Sequence, residues 1–157
     1  GSEMCIRDRS GTPGEIVGSI EYKEENIIGS IEKNTEKGIY GTVTDTGNKA
    51  YEIGYRQDIK KGKAYILSNL TGSMRQYEIK INKIVSSDTD VLKSMEIEVT
   101  DKRLLHLTNG IIQGMSGSPI IQDGKLIGAV THVFVQDASS GYGIFIENML
   151  KNTERLF

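Results

Sequence analysis

The sequence is poor in the residues that support several common kinds of chemistry. Its 157 residues include one cysteine, two histidines, two prolines and no tryptophan. A single cysteine excludes an internal disulfide and a zinc site built from cysteines. The two histidines, His106 and His132, are far apart and no H-E-x-x-H pattern occurs, so metal catalysis is poorly supported. We therefore expect neither a metal nor any other cofactor.

Charge and hydropathy argue against two further kinds of partner. A formal net charge of -2 gives no electrostatic reason to expect nucleic acid. Every apolar run is shorter than the stretch of about 18 residues that suggests a membrane-spanning helix, and no signal-peptide pattern is recognisable. The content of 37% hydrophobic and 25% charged residues is ordinary for a globular protein, and the length predicts one domain.

The first ten residues differ in character from the rest of the chain. They read Gly-Ser-Glu-Met-Cys-Ile-Arg-Asp-Arg-Ser and show no periodicity of either kind. We interpret residues 1–10 as a non-native leader, the translated remnant of a sequencing adapter, and exclude them from the fold prediction. We expect residues 11–157 to form the domain and the native N-terminal part to be missing.

Short runs of alternating or apolar residues predict an all-β fold. The clearest alternation lies in residues 75–85 and 94–100, which is typical of half-buried strands. Shorter runs predict strands at 15–22, 26–32, 38–43, 51–55 and 64–67, with a polar loop at 44–49 and a basic turn at 60–63. Many short strands favour an antiparallel sandwich or barrel. Two helices are predicted, at 101–107 with Asp101 or Thr100 as N-cap, and at 147–157.

The most informative stretch runs over residues 110–133. Its centre reads Gly114-Met115-Ser116-Gly117-Ser118-Pro119, followed by Ile-Ile-Gln, an Asp123-Gly124 pair that predicts a two-residue hairpin turn, and a second apolar run. Glycine adopts positive φ without a Cβ penalty, so this loop can turn its amides inward. The amides of Gly114 and Ser116 can then point to one place beside the Ser116 hydroxyl, as acyl transfer requires. An isolated G-x-S-G is equally typical of a plain hairpin loop.

This stretch resembles the nucleophile loop and following hairpin of chymotrypsin-like serine peptidases. The flanking residues 99–105 (Val-Thr-Asp-Lys-Arg-Leu-Leu) and 128–135 (Gly-Ala-Val-Thr-His-Val-Phe-Val) are similar to the stage IV sporulation protein B family of serine peptidases. The resemblance covers roughly residues 11–150. It implies part of an antiparallel chymotrypsin-like (trypsin-like) β-barrel with a short C-terminal helix.

The resemblance also implies which residues do chemistry. Ser116 is the expected nucleophile, and Asp101, in a Thr-Asp-Lys-Arg context, is the expected carboxylate that orients the imidazole base. The alternative role of Asp101 is a helix cap. Ser118 is a rival nucleophile, although its place inside the turn before Pro119 disfavours it. The backbone amides of Gly114 and Ser116 are the expected oxyanion hole.

Substrate is expected to bind along the strand after the nucleophile loop. The expected binding residues are Thr131, His132 and Val133. In serine peptidases this strand pairs with the substrate backbone, as in strand addition generally.

The general base is missing from this pattern. In the family the histidine precedes the acid in a Gly-His context, and no Gly-His dipeptide occurs here. His106 is interpreted as a surface or packing residue of a helix, and the family counterpart of His132 is not the base. We expect the histidine to lie upstream, in the missing part, and this fragment to be inactive because a triad acts as a unit.

The resemblance implies a parent protein with a membrane anchor and a peptide-binding PDZ module. That parent is expected to be exported across the forespore membrane into the intermembrane space, where it cleaves itself and a membrane-tethered regulator of sporulation. If half of a two-barrel fold is absent, we expect apolar surface to face solvent.

Two rival functions stay open. One is a non-catalytic β-barrel that binds peptides and keeps the glycine-rich loop for its turn geometry. The other is a Ser-Lys dyad that uses Lys125 or Lys102 as the base. Such a lysine must be desolvated to lower its pKa, and the position of Lys125 directly after the Asp-Gly turn favours exposure.

Overall fold

A computed structural model describes residues 2–5, 15–19, 21–44, 49–85, 89–111, 113–151 and 153, with only the backbone described for 2–5 and 15–18. The strands are β1 Ser2–Cys5, β2 Glu15–Gly18, β3 Gly29–Thr35, β4 Gly38–Val43, β5 Glu52–Ile53, β6 Gly62–Ser68, β7 Arg75–Ile84, β8 Met95–Val99, β9 Pro119–Gln122, β10 Lys125–Val133 and β11 Ser140–Phe145. The α-helices are α1 Lys102–Thr108 and α2 Ile146–Leu150. Short 3₁₀ turns lie at Glu24–Asn26, Arg56–Asp58 and Val91–Lys93.

A closed antiparallel barrel forms the centre of the structure. Its strands follow the order β8-β7-β6-β9-β10-β11, and β11 pairs back with β8. The short strand β5 pairs in parallel with the beginning of β10, while β1–β2 and β3–β4 form separate two-stranded sheets. The closed antiparallel barrel and the short C-terminal helix confirm the predicted fold class.

Side-chain alternation explains why the barrel strands take their register. In β8, Met95, Ile97 and Val99 are buried while the two glutamates between them are partly exposed. In β7 the same alternation buries Tyr77, Ile79 and Ile81, as the sequence predicts. Because side chains of a strand alternate between its faces, a one-residue slip would turn these apolar groups out of the core.

The predicted turn at Asp123-Gly124 is confirmed. Both residues have positive φ, 50° and 76°, and Gln122 pairs directly with Lys125. Two consecutive residues with positive φ match the right-handed twist of the flanking strands, which is why a two-residue turn of this kind selects Asp-Gly. The turn fixes the register of β9 against β10, the two strands that follow the loop at residues 114–118.

Several predicted boundaries differ from the structure. The strand predicted at 26–32 begins at Gly29 because Glu24–Asn26 forms a 3₁₀ turn. Half of the predicted basic turn at 60–63 belongs to β6. The last helix begins at Ile146 and is described to Leu150, after which Thr153 donates through its amide and hydroxyl to the Leu150 carbonyl.

Some predictions fall partly outside the described residues. Residues 45–48 of the predicted polar loop and residues 152 and 154–157 of the predicted last helix are among them. In the leader, β1 pairs with β2, and residues 6–10 lie outside the described part. This pairing does not test whether residues 1–10 are native, so the leader stays a prediction.

Apolar surface is concentrated on and before the β3–β4 hairpin. Five large apolar side chains there are more than half exposed: Ile27, Ile28, Ile31, Ile39 and Val43. In the part of the chain with described structure, no helix has the length and apolar character needed to cross a membrane.

Barrel stability should depend on β8 far more than on the hairpin. We expect Ile97→Ala to lower the free energy of unfolding by about 2–5 kcal/mol, because it leaves a cavity among fully packed side chains. Ile39→Ala, at a side chain that is 63% exposed, is the matched control and should cost under about 1 kcal/mol. Urea unfolding followed by circular dichroism measures both, and equal losses would contradict the assignment of the core.

Candidate active site

The loop that carries Ser116 is tied to strand β10 by backbone hydrogen bonds. The Gly117 amide donates to the Val130 carbonyl at 2.7 Å, and the Val130 amide donates to the Ser118 carbonyl at 3.0 Å. Within the loop, the Ser118 amide donates to the Met115 carbonyl at 3.0 Å. The Met115 side chain is buried in the core, whereas Ser116 is exposed. Met115 therefore anchors the loop in the core, and the next residue, Ser116, faces solvent.

Two glycines give this loop its shape. Gly114 has φ of 101° and Gly117 has φ of 91°, both in the region that side chains disfavour. A Cβ on Gly117 would meet no atom within 4 Å. The requirement for glycine at 117 is therefore conformational rather than steric, and it follows from the turn that places Ser116 at the surface.

The backbone amides at the two expected oxyanion positions have no acceptor among the residues that the structure describes. Within the described residues, neither the Gly114 amide nor the Ser116 amide donates a hydrogen bond, although the amides of Gly117 and Ser118 both do. Both residues are exposed. An exposed amide with no protein acceptor can donate to an oxygen of a bound ligand.

The Ser116 hydroxyl donates to a main-chain carbonyl. Its Oγ lies 3.0 Å from the carbonyl oxygen of Thr131. Thr131 sits at a register shift of the β10–β11 pairing, between Val130 and His132. Its own hydroxyl donates to the Leu92 carbonyl at 2.5 Å, which fastens this part of β10 to the turn before β8.

Two cavities flank Ser116. The larger, of about 590 Å³, lies between Ser116 and the tip of the β3–β4 hairpin, residues 34–39, and also includes Leu92 and Met149. The smaller, of about 210 Å³, lies beside Gly114 and is bordered by Thr131, His132 and Val133. The structure thus places the three predicted substrate-binding residues next to the predicted nucleophile.

Neither histidine bonds to the Ser116 hydroxyl. His132 is exposed and borders both cavities, and His106 is exposed on α1. In the described part of the chain, no hydrogen bond joins either imidazole to Ser116 or to Asp101. Among the described residues, Ser116 therefore has no imidazole as a hydrogen-bond partner.

Asp101 caps helix α1 and holds Arg103. Its Oδ1 accepts from the Arg103 amide at 2.9 Å and from Arg103 Nε at 3.1 Å. Its Oδ2 accepts from Arg103 Nη2 at 2.9 Å and from the Glu78 amide at 3.0 Å. The side chain is only 9% exposed. Of the two predicted N-caps, the structure therefore selects Asp101.

Within the described residues, no hydrogen bond joins Asp101 to Ser116. Leu92, which shares the larger cavity with Ser116, precedes β8, and Asp101 follows the end of β8. At about 3.3 Å per residue the five residues of β8 span about 13 Å. The catalytic role of Asp101 stays a prediction, and its present contacts are structural.

The Arg103 contact changes the electrostatics of Asp101. Hydrogen bonding by the Arg103 guanidinium, with the Glu78 and Arg103 amides, outweighs burial and holds the pKa of the Asp101 carboxyl well below its usual range. The hydroxyl of Ser139, with Ser140, lowers the pKa of Asp137 in the same direction. Both carboxylates are therefore better stabilised as anions in the folded chain than in the unfolded one.

The lysines proposed for a dyad are not placed to serve Ser116. Lys125 lies at the start of β10, six residues before Thr131, which is about 20 Å along a strand. Its Nζ is 3.8 Å from Glu52 Oε1. Lys102 is exposed on the first turn of α1, the helix that Asp101 caps. Ser118, the rival nucleophile, is half-buried; its amide donates to the Met115 carbonyl and its carbonyl accepts from the Val130 amide of β10.

Sequence reasoning missed three contributions to this region. At the tip of the β3–β4 hairpin, residues 34–39, the sequence predicts only the start of the strand at 38–43, and it gives Leu92 no role. Arg103 belongs to the Thr-Asp-Lys-Arg context of Asp101, but the sequence does not predict that the two side chains pair. The i,i+2 spacing of Asp101 and Arg103 was the one signal available. Contacts of the hairpin with Ser116 depend on chain closure over about 80 residues, which leaves no local pattern.

Within the described residues, no group of histidine, cysteine, aspartate and glutamate suits a metal ion.

Comparison with known proteins gives one match. The family described as SpoIVB peptidase S55 matches residues 3–150 of the chain. The matched range includes the whole loop around Ser116, both histidines and Asp101. Searches of curated proteins and of solved structures returned no match.

Removal of the Asp101 carboxyl should destabilise the fold. We expect Asp101→Ala to lower the free energy of unfolding by about 1–3 kcal/mol, since it deletes a helix cap and leaves the Glu78 amide and Arg103 without their acceptor. Asp101→Asn keeps an acceptor for the helix and should lose less. Urea unfolding at pH 7 measures both variants, and an unchanged Asp101→Ala would contradict the structural role.

The stability difference between wild type and Asp101→Asn should depend on pH. The folded-state pKa lies below the unfolded one, so the charged carboxylate contributes stability above about pH 4 that is lost as the pH falls. Urea midpoints between pH 7 and pH 2 should therefore converge for the two proteins. The acid loss that persists in the variant belongs to other groups, including Asp137. Parallel curves over this range would rule out the lowered pKa.

Proposed function

The chain belongs to the SpoIVB peptidase S55 family, and on that premise we propose that it carries the nucleophile of a serine endopeptidase, Ser116. The observation that carries the proposal is the loop itself. An exposed serine lies between two glycines of positive φ, and the amides of Gly114 and Ser116 on the same loop donate to no acceptor in the described part of the chain. We take residues 11–157 as the C-terminal portion of the peptidase domain.

The chemistry follows from this arrangement. Ser116 Oγ attacks the carbonyl carbon of a peptide bond while a base takes the hydroxyl proton. The carbonyl oxygen becomes an anion, and the amides of Gly114 and Ser116 are the donors we assign to it. The base then returns the proton to the leaving amine, and water hydrolyses the acyl-enzyme by the same steps in reverse. Thr131, His132 and Val133 border the cavity beside Gly114, and we assign them to the substrate.

We propose that the base comes from outside these 157 residues. The Ser116 hydroxyl donates to the Thr131 carbonyl, and within the described residues no imidazole is hydrogen-bonded to it. A serine without its base loses most triad catalysis, because the three groups act together. The chain by itself is therefore proposed to be inactive.

Asp101 enters the proposal under a condition. The resemblance implies that it orients the histidine, but each of its oxygens already accepts two hydrogen bonds. To accept from an imidazole, Asp101 has to release a bond to Arg103, and the imidazole has to bridge from Ser116 to the far end of β8. Asp101→Asn in an active, longer polypeptide tests the role, since it keeps the helix cap.

The wider biology is proposed from the family resemblance alone. It comprises cleavage of the protein itself and of a membrane-tethered sporulation regulator, after export of an anchored parent into the intermembrane space. A non-catalytic peptide-binding barrel is the alternative. The lack of a base in contact with Ser116, among the described residues, favours that alternative for the isolated chain.

Covalent labelling tests the proposal directly. A fluorophosphonate probe reacts with an activated serine, so we expect no labelling of this chain above a denatured control. When genomic sequence upstream of the chain is added, we expect labelling at Ser116, mapped by mass spectrometry. Ser116→Ala should abolish the signal in the longer polypeptide, and Ser118→Ala is the matched control that should keep it.

Three outcomes would change the account. Labelling of the short chain would place the base inside it, with His132→Ala as the next variant because His132 borders both cavities. Labelling at Ser118 would replace the nucleophile. No labelling in either polypeptide would leave the non-catalytic peptide-binding barrel.

A further inference from the structure

One face of the β3–β4 hairpin is apolar and open. Ile31, Ile39 and Val43 lie on this face, because Ile31 pairs with Gly41 and every second residue of a strand shares a side. Their exposures are 65%, 63% and 52%. We call these three residues the hairpin face.

The opposite side of the hairpin is the side that packs. Tyr40 lies there and is buried, and it pairs with Lys33. A Cβ on Gly38, at the hairpin tip, would lie 3.0 Å from the Met149 methyl group, so the tip rests against α2. The hairpin is thus held to the body of the protein without using the hairpin face.

Two glycines lie beside the apolar residues of the hairpin face. Gly41 lies between Ile39 and Val43 along β4 and pairs with Ile31, while Gly29 pairs with Val43. A Cβ on either glycine would come within about 2 Å of a carbonyl oxygen on the paired strand, 2.1 Å from Thr42 O and 1.9 Å from Ser30 O, so substitution there is blocked by the strand pairing. The result is an apolar strip in which isoleucine and valine side chains lie beside bare backbone.

The hairpin face is continuous with the larger cavity. Ile39 belongs to the face and also lines the cavity of about 590 Å³ that Ser116 borders. The other apolar lining residues include Leu92, Val130, Ile144 and Met149, and the charged ones are confined to Glu36 and Lys37 at the hairpin tip, apart from His132. An apolar path therefore leads from the predicted nucleophile onto the hairpin.

We propose that the cavity and the hairpin face together bind an extended apolar segment of the polypeptide substrate, with Ile39 selecting an apolar side chain close to the scissile bond. An extended peptide turns alternate side chains to one side, and a flat apolar strip accepts that side. The inference rests on the proposed function for its link to hydrolysis. Binding itself needs no base, so it can be measured on this chain alone.

Fluorescence polarisation with a defined probe tests the proposal. The probe is a labelled decapeptide in which valine or isoleucine alternates with threonine, with a lysine at each end for solubility. The comparison peptide carries aspartate at each valine or isoleucine position. We expect the apolar peptide to bind the full chain at least about tenfold more tightly.

Two matched variants locate the binding. Ile39→Asn should weaken binding of the apolar peptide by about tenfold or more, and Ile39→Val should restore most of it. Met74→Asn, at a side chain that is 64% exposed in the loop between β6 and β7, should leave the dissociation constant unchanged. Circular dichroism confirms that each variant is folded before it is compared.

Each other result overturns the proposal. These are no binding of the apolar peptide, equal binding of the two peptides, or an Ile39→Asn variant that binds like wild type. A dimer seen by sedimentation and dissociated by Ile39→Asn would assign the hairpin face to a second copy of the chain instead. Failure of the proposed function is separate, because missing Ser116 labelling would leave these dissociation constants as they are.

Discussion

The pairing of the nucleophile loop with strand β10 is the constraint on which the site depends. Two backbone hydrogen bonds, from Gly117 to Val130 and from Val130 to Ser118, fix the loop against the barrel, and Met115 is anchored in the core. These bonds turn Ser116 outward and bring the Thr131 carbonyl to its hydroxyl. The same strand contributes Val130, Thr131 and His132 to the walls of both flanking cavities. A loop this firmly held presents its donors in one geometry, which is what electrostatic stabilisation of an oxyanion requires.

The parts of the fold that sequence predicted well are the ones with local causes. Alternation in β7 and β8, the Asp123-Gly124 turn and the glycines around Ser116 each follow from the conformational demands of a few adjacent residues. The place of the β3–β4 hairpin at the Ser116 cavity has no such cause, because it brings together residues about 80 positions apart in the chain. Asp101 has one contact that the sequence predicts and one that it does not. Its role as helix cap depends on adjacent residues and is predictable, whereas the hydrogen bond that it accepts from the Glu78 amide comes from a strand distant in the sequence.

The residues of the proposed site are held by different parts of the chain. Ser116, the proposed nucleophile, shares one short loop with the amides of Gly114 and Ser116, which have no acceptor within the described residues. Asp101, the proposed acid, is hydrogen-bonded to Arg103 and follows β8, and among the described residues no imidazole is hydrogen-bonded to Ser116. Membership of a peptidase family makes the assembled triad the natural proposal. Assembly of that triad requires a segment whose imidazole reaches both the Ser116 hydroxyl and the Asp101 carboxylate. The imidazole then competes with Arg103 for the carboxylate.

The most direct measurement is a crystal structure of the chain, extended by its upstream genomic sequence, after reaction with a peptidyl phosphonate. The account predicts a covalent bond to Ser116 Oγ, with a phosphonate oxygen about 2.7–3.1 Å from the amides of both Gly114 and Ser116. It also predicts an imidazole from the added segment in place of the Thr131 carbonyl as the partner of Oγ. An adduct on another residue, or an oxygen that contacts neither amide, would contradict the assignment of this loop as the catalytic centre.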